Sequence, residues 1–500
     1  MSAVTSSPLL PPPDPRSIDA LRVDLAEFTA DGIAERLGPV AAGAIGREDP
    51  VPARRVVKGE RDPLATLIRC FVLGDPVEAD DLAAALPTLG LDAARRAQLV
   101  SADGTRALVE LSPHGDEGHD WVIASDLSEV ATGGPLAADH VLGVGGASRT
   151  LASWTPRPRV RRALDLGTGC GVQALHLSGH AESVVASDIS ARALAFARFN
   201  AALAGQEWEL REGSMLDPVE GERFDLVVSN PPFVITPRTG DLPLYEYRDG
   251  GRSGDAIVAE LVTGLGAHLA PGGIAQLLGN WEVRRGEEWR DRVGAWCDAS
   301  GLDAWVIQRE DQDPAEYAST WARDIGYSVG SSAYEVMMNA WLDDFAARGV
   351  ERIGFGVVTL HRPASERAPW RDLTEHYGPV ASPMGPSVLA SLQARVWIAE
   401  HDDDALLDTR WTSTSDVTEE RHSTPGSADP QLILLRQGGG LGQVVRLDSD
   451  GAALVSVMDG DLTARQALTA IAALSERPAG EVITAALPLL RGLVGDGLLA

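Results

Sequence analysis

Leu164-Asp165-Leu166-Gly167-Thr168-Gly169-Cys170-Gly171 decides the fold. The residues leading into it, Arg161-Arg162-Ala163-Leu164-Asp165-Leu166, turn apolar at their end, glycine then alternates, and Val172-Gln173-Ala174-Leu175-His176-Leu177 opens a helical pattern. That order predicts a buried strand, a tight turn and a helix. Glycine at alternate positions frees the backbone dihedrals and lets a ligand lie against the main chain, because no Cβ intervenes. A second strand, Ser183-Val184-Val185-Ala186-Ser187, ends in Asp188, whose carboxylate is placed to accept both hydroxyls of a ribose. A nucleoside is therefore the expected ligand. Dinucleotide-binding domains and a plain structural turn share this layout. The Gly-x-Gly-x-Gly spacing differs from the Gly-x-Gly-x-x-Gly of the nicotinamide fingerprint and favours S-adenosylmethionine.

A second run narrows the reading. Phe224-Asp225-Leu226-Val227-Val228-Ser229 is nearly continuously apolar, as a strand inside a parallel sheet must be, and Asn230-Pro231-Pro232-Phe233 stands at its carboxyl end, where such sheets bind ligands. The amide oxygen of Asn230 and the carbonyl of Pro231 are two acceptors. The prolines stiffen the backbone so that both can face one planar NH2 group, and Phe233 offers an aromatic face to it. With both N–H bonds accepted, the nitrogen lone pair is aimed at a methyl donor, which is catalysis by orientation.

On these residues, the span 160–363 resembles class I S-adenosylmethionine-dependent methyltransferases of the amino-methylating group, whose signature is Asn-Pro-Pro-aromatic. Within that group it looks like the HemK-type protein-glutamine N-methyltransferases that modify release factors. A further match is Tyr247-Arg248-Asp249-Gly250-Gly251-Arg252-Ser253-Gly254-Asp255, followed by a helix and Pro271-Gly272-Gly273. The resemblance implies an α/β fold with a seven-stranded Rossmann-like sheet. It implies that Asp165, Gly167, Thr168, Gly169 and Gly171 line the methionine side of the cofactor, that Asp188 holds its ribose, and that Asn230, Pro231, Pro232 and Phe233 form the catalytic acceptor motif, with Asn230 also beside the cofactor. Where the family often has an acidic residue after the glycine matched by Gly213, this chain has Ser214 and then Met215 at the cofactor-site position. Phe233 replaces the tyrosine usual in the release-factor enzymes. No metal is expected.

The bulk properties limit the partners. The 500 residues predict two to four domains. With 43 Lys and Arg against 72 Asp and Glu, the net charge of −29 speaks against a large sequence-independent attraction to phosphate backbones. The three cysteines, Cys70, Cys170 and Cys297, have neither disulfide nor metal spacing, which suits a reduced, cytoplasmic protein. No apolar run is long enough to span a membrane, and the Ser- and Pro-rich start lacks the layout of a signal peptide.

The expected organisation is a disordered lead-in over 1–16, a helical, winged-helix-like domain over 17–150, the methyltransferase domain over 151–363, a helix and acidic linker over 364–430, and a second winged-helix-like domain over 431–500. In the first of these, helices at 78–86 and 91–99 precede strands at 106–111 and 120–125, and His114 and His119 read as solvated loop residues. In the resembled fold the segment before the first strand closes over the methionine end of the cofactor, and the glycines of 139–148 suit either such a lid or a plain linker. Residues 311–349, rich in Trp, Tyr and Met, predict a helical pair that packs on the sheet or forms a substrate groove. The leading acceptor is a protein glutamine, with a translation release factor as the expected partner. A nucleobase amine of rRNA, tRNA or DNA is the alternative, and a non-catalytic winged-helix regulator is a third reading.

Overall fold

A computed structural model of the chain describes residues 9–47, 49–116, 118–132, 136–238, 250–324, 326–427 and 429–500. It divides into two compact units, the first made of Met1–Leu151, Arg159–Leu302 and Glu310–Arg362, the second of Ala152–Pro158, Asp303–Arg309 and Pro363–Ala500.

The first unit begins with helices, among them Pro15–Asp24, capped by the Asp14 carboxylate on the Ser17 N–H, and Ala30–Ile45. Strands β1 (Glu110–Asp116) and β2 (His119–Ser125) follow as an antiparallel hairpin in which Glu110 faces Ser125 and Asp116 faces His119. Then come β3 (Val160–Leu166), β4 (Ala181–Asp188), β5 (Glu209–Glu212), β6 (Phe224–Ser229) and β7 (Leu269–Arg284), and a final strand, Val350–His361. These six form the order (Val350–His361)-β7-β6-β3-β4-β5, all parallel except Val350–His361, which runs antiparallel to β7. β3 and β6 are buried over their carboxyl halves, as strands covered on both faces must be.

Register brings the site together. Leu166 of β3 pairs with Ser187 of β4 and with Ser229 of β6, so the residues one step beyond, Gly167, Asp188 and Asn230, emerge side by side at the carboxyl edge.

Several expectations need correction. The lead-in does not extend to residue 16: Leu10 is buried in a core cluster and the helix opens at Pro15. The chain does not divide at 150 either. One cluster of buried side chains runs from Leu10 and Phe28 through Leu111 and Ile123 to Val172, Phe196 and Leu203, so the hairpin and the helices beside β3 share a core. His114 is not in a loop. The Ser, Pro, His and Gly expected to join the strands are themselves part of β1, and His114 Nε2 lies 2.8 Å from His176 Nε2, while His119 stacks on Trp121. The helical pair predicted between 311 and 349 is present as Pro314–Asp324 and Ser332–Arg348.

All seven expected strands exist. The remaining one, Asp303–Gln312, belongs to the second unit as far as Arg309, where it pairs in parallel with an additional strand, Arg371–Glu375. The acidic stretch over 400–430 is not a linker. It holds the helix Asp403–Asp408, whose Leu406 and Leu407 are buried, and the strand Val417–His422, which pairs with Leu432–Gln437. A third strand, Val444–Leu447, completes that sheet, and helices Ser449–Val455, Ala464–Leu474 and Ala479–Gly495 follow. Among the described residues, no helix is long and apolar enough to cross a membrane.

Candidate active site

The glycine turn after β3 carries positive φ at Gly167 (73°), Gly169 (55°) and Gly171 (94°). The three serve different ends. A Cβ on Gly169 would meet nothing within 4 Å and one on Gly167 only the Asn230 carbonyl at 4.0 Å, so both backbones face open space. That space is a cavity of about 350 Å³, large enough for a ligand of nucleoside size. A Cβ on Gly171 would instead lie 2.6 Å from the Trp208 ring, which makes this glycine a packing residue.

Of the positions predicted from sequence, Gly167, Thr168, Gly169, Asp188, Ser214, Met215, Asn230, Pro231 and Pro232 line the cavity. Asp165, Gly171 and Phe233 do not. The Asp165 carboxylate turns inward and accepts the Thr168 hydroxyl at 2.6 Å and the Ala174 N–H at 2.9 Å, so it fixes the turn from behind. Complete burial, reinforced by the Asp188 charge, pushes its carboxyl up to about 7. Asp188 accepts the Gly169 and Ser190 N–H groups, each at 2.9 Å, on separate oxygens.

The acceptor motif is held from two sides. Ser229 donates its hydroxyl to the Leu166 carbonyl at 2.8 Å, joining the ends of β6 and β3. Beyond the motif, Ile235 donates its N–H to the Tyr317 phenol oxygen at 2.8 Å, and Trp341 donates its indole N–H to the Ile235 carbonyl at 2.9 Å. Phe233 packs edge-on to Trp321, with ring centroids 6.4 Å apart. The helical pair therefore braces the acceptor loop. Among the described residues, buried Asn230 Oδ1 has no hydrogen-bond partner, although Asn230 lines the cavity. A buried amide oxygen left over in this way asks for a donor from a ligand.

Tyr247, Arg248 and Asp249 of the glycine-rich motif lie outside the described residues. Its Gly250 and Gly251 line the cavity, and a Cβ on Gly250 would meet Ile257 Cδ1 at 2.1 Å and the Pro232 carbonyl at 3.1 Å. Asp255 closes the motif by accepting the Arg292 fork at 2.6 and 2.7 Å and the Glu282 N–H at 2.9 Å.

Sequence reasoning named the lid segment but not its contacts. His140, Val141, Leu142, Gly143 and Ser148 all line the cavity, and Gln173 donates to the Ser148 carbonyl at 2.9 Å. Cys170, Gln173, Ile189, Ser190 and Ala193 also line it and were missed. Their positions just after Gly169 and Asp188 were the available signal. Burial raises the Cys170 thiol to about 12, which keeps it protonated. Among the described residues, no group of three or more His, Cys, Asp or Glu is arranged to hold a metal ion.

The open face above Gly167 and Gly169, the Asp188 side chain in the cavity wall and the size of the cavity fit S-adenosylmethionine. Comparison with known proteins agrees. Residues 142–287 match the family described as methyltransferase small domain, and residues 25–110 and 390–500 match two families each described as a domain of unknown function. The release factor glutamine methyltransferase of Xylella fastidiosa is 40% identical over 132 residues, 24% of this chain and 48% of that protein. The ribosomal protein uL3 glutamine methyltransferase of Bordetella pertussis is 33% identical over 163 residues, covering 30% and 54% respectively. The ribosomal RNA small subunit methyltransferase C of an Enterobacter species is 30% identical over 137 residues, covering 27% and 35%. The chain thus spans about half the length of the curated relatives it matches, or less. Residues 142–287, which hold the glycine turn, Asp188 and Asn230 around one cavity, thus match the methyltransferase small domain family.

Proposed function

We propose that the chain transfers a methyl group to the side-chain amide nitrogen of a glutamine in a protein. The observation that carries this reading is the buried Oδ1 of Asn230, on a residue of the cavity wall, which has no hydrogen-bond partner among the described residues. S-adenosylmethionine, when bound, supplies an electrophilic methyl on a sulfonium centre. The chain's own part is to orient the nitrogen. Asn230 Oδ1 and the Pro231 carbonyl accept the two N–H bonds of a planar NH2 group, and Pro231 and Pro232 fix both acceptors in place. An amide nitrogen is a weak nucleophile because its lone pair is delocalised into the carbonyl, and holding both hydrogens turns that pair toward the methyl. Asn230 Oδ1 and the Pro231 carbonyl are neutral amide oxygens that orient the nitrogen without keeping a proton, so the proton that nitrogen gives up on gaining the methyl would pass to water.

Charge favours a protein over RNA as the acceptor. A chain of net charge −29, with 43 Lys and Arg against 72 Asp and Glu, gains little from counterion release on a polyphosphate. Two of the relatives above are named for protein glutamine, one of them for a release factor, which makes a release factor the first substrate to try. A nucleobase amine is the second reading. It presents the same planar NH2 group, and one relative is named for ribosomal RNA.

The test adds purified protein and methyl-labelled S-adenosylmethionine to lysate from cells lacking the gene, then splits the product between protease and nuclease. Label lost to protease supports the glutamine reading and supplies a band for peptide mapping. Label lost to nuclease overturns it in favour of the nucleobase.

A further inference from the structure

The lid segment over the cavity is tied down by a buried ion pair. Asp126, one residue beyond β2, receives both guanidinium nitrogens Nη1 and Nη2 of Arg192, and neither residue is more than 8% exposed. The same carboxylate accepts the Val141 N–H at 2.7 Å, and the Asp126 N–H returns to the Val141 carbonyl at 3.1 Å. Arg192 also donates to the Asp139 carbonyl at 3.1 Å. The flanking His140 and Leu142 line the cavity, as do Ile189, Ser190 and Ala193 around the start of the Arg192 helix.

A second link leaves the same strand. Asn200, fully buried, pairs both ways with the Ala124 backbone at 2.8 Å and donates to the Cys170 carbonyl at 2.8 Å, inside the glycine turn. The end of β2 is therefore bonded both to the lid and to the turn beneath the cofactor site.

We propose that Asp126 and Arg192 are positioning residues that hold the 139–143 segment against the cofactor cavity, so that cofactor affinity depends on the β1-β2 hairpin. Burying two charges costs several kcal/mol per ion unless each is well bonded. Here the bonds that satisfy the carboxylate are made by the lid backbone and by the helix that follows Asp188. Loosening the pair frees the lid to leave the cavity, and each binding event must then re-order it. The inference rests on the cofactor assignment and not on the identity of the methyl acceptor.

The test uses the full chain and S-adenosylhomocysteine as the probe. Removing one charge alone leaves the other buried and endangers folding, so the informative variant is the neutral pair Asp126→Asn with Arg192→Gln, beside the conservative Arg192→Lys. The neutral pair is expected to weaken binding by about tenfold or more in calorimetry, and Arg192→Lys to recover most of it. In hydrogen exchange, the ligand is expected to slow amides 136–145 and 121–126 together in the parent chain. Binding of the neutral pair within about twofold of the parent, or protection of 136–145 that leaves 121–126 unchanged, overturns the inference. Exchange on the parent decides the matter if the neutral pair does not fold. A parent chain that binds no S-adenosylhomocysteine would instead overturn the cofactor site itself and the inference with it.

Discussion

The phenol oxygen of Tyr317 accepts the backbone N–H of Ile235 at 2.8 Å and, at the same distance, the side-chain amide of Asn280. Tyr317 belongs to the helical pair inserted before the last strand, Ile235 lies five residues after Asn230, and Asn280 is on β7. One hydroxyl thus joins the insertion, the acceptor loop and the sheet. Tyr317→Phe leaves two buried donors without a partner, each costing about 1–3 kcal/mol. Unfolding in urea should show a loss of about 2–6 kcal/mol, and methyl transfer should slow by about tenfold as the loop loses its register. A variant that loses stability but transfers methyl at the parent rate would reduce Tyr317 to a core support.

Gly169 and Gly171 answer differently to the same change. Gly169→Ala places a methyl group in open cavity at a φ of 55°, which costs about 1–2 kcal/mol of backbone strain. The protein should fold and fail to bind S-adenosylhomocysteine. Gly171→Ala drives its Cβ to 2.6 and 2.9 Å from two Trp208 ring atoms, at a φ of 94°. Overpacking of that kind costs about 1–3 kcal/mol, so this variant should melt earlier while its folded fraction still binds. Thermal melts and calorimetry on the pair separate the two roles, and equal binding loss in both would contradict the assignment.

Asp165 gives the fold a pH dependence whose sign is fixed. Its carboxyl titrates at 3.8 when unfolded and at about 7 when buried, so the folded chain holds its proton more tightly. The stability this contributes is complete below about pH 4 and is lost as pH rises through about 7. Self-repulsion of a chain with net charge −29 adds a trend of its own, so the comparison must be made against Asp165→Asn, which removes only the titration. The stability of the parent relative to that variant should fall between about pH 4 and about pH 7. A difference that stays constant over that range would show the carboxyl ionised throughout.

Local pattern made the cofactor side legible. The apolar-to-glycine transition at Leu166 and Gly167, the strand ending in Asp188 and the apolar run before Asn230 are all read from neighbours in sequence, because strand burial and backbone freedom leave local marks. What escaped were contacts between distant positions. Asp165 looks like a ligand residue in the motif, yet it lies outside the cavity lining and its Oδ2 is engaged by Ala174, nine residues on. Gly171 completes an alternating series, but Trp208 decides its role from 37 positions away. Phe233 sits in the acceptor motif and packs on Trp321, which only the folded helical pair brings near. The Asp126–Arg192 pair spans 66 residues and joins two regions that composition had placed in separate domains. The acidic stretch over 400–430 reads as linker because its charges hide Leu406, Leu407 and Trp411, three side chains that reach a core.

Asn230 provides the sharpest test of the acceptor site, because its oxygen makes no hydrogen bond to the described residues. Replacing a buried, bonded asparagine would damage the fold, but among the described residues Asn230 Oδ1 has no partner, so Asn230→Ala removes none of their hydrogen bonds at that atom. Stability and S-adenosylhomocysteine affinity should therefore stay close to the parent. Turnover should fall by about 10²–10³, the usual loss when one preorganised polar group at the reacting centre is removed. Asn230→Asp keeps an oxygen in place and adds a charge to a site where burial disfavours it, so its residual rate should increase as the carboxylate ionises and again accepts the N–H. Equal activity in Asn230→Ala and the parent would remove the residue from the reaction and leave the Pro231 carbonyl as the orienting group.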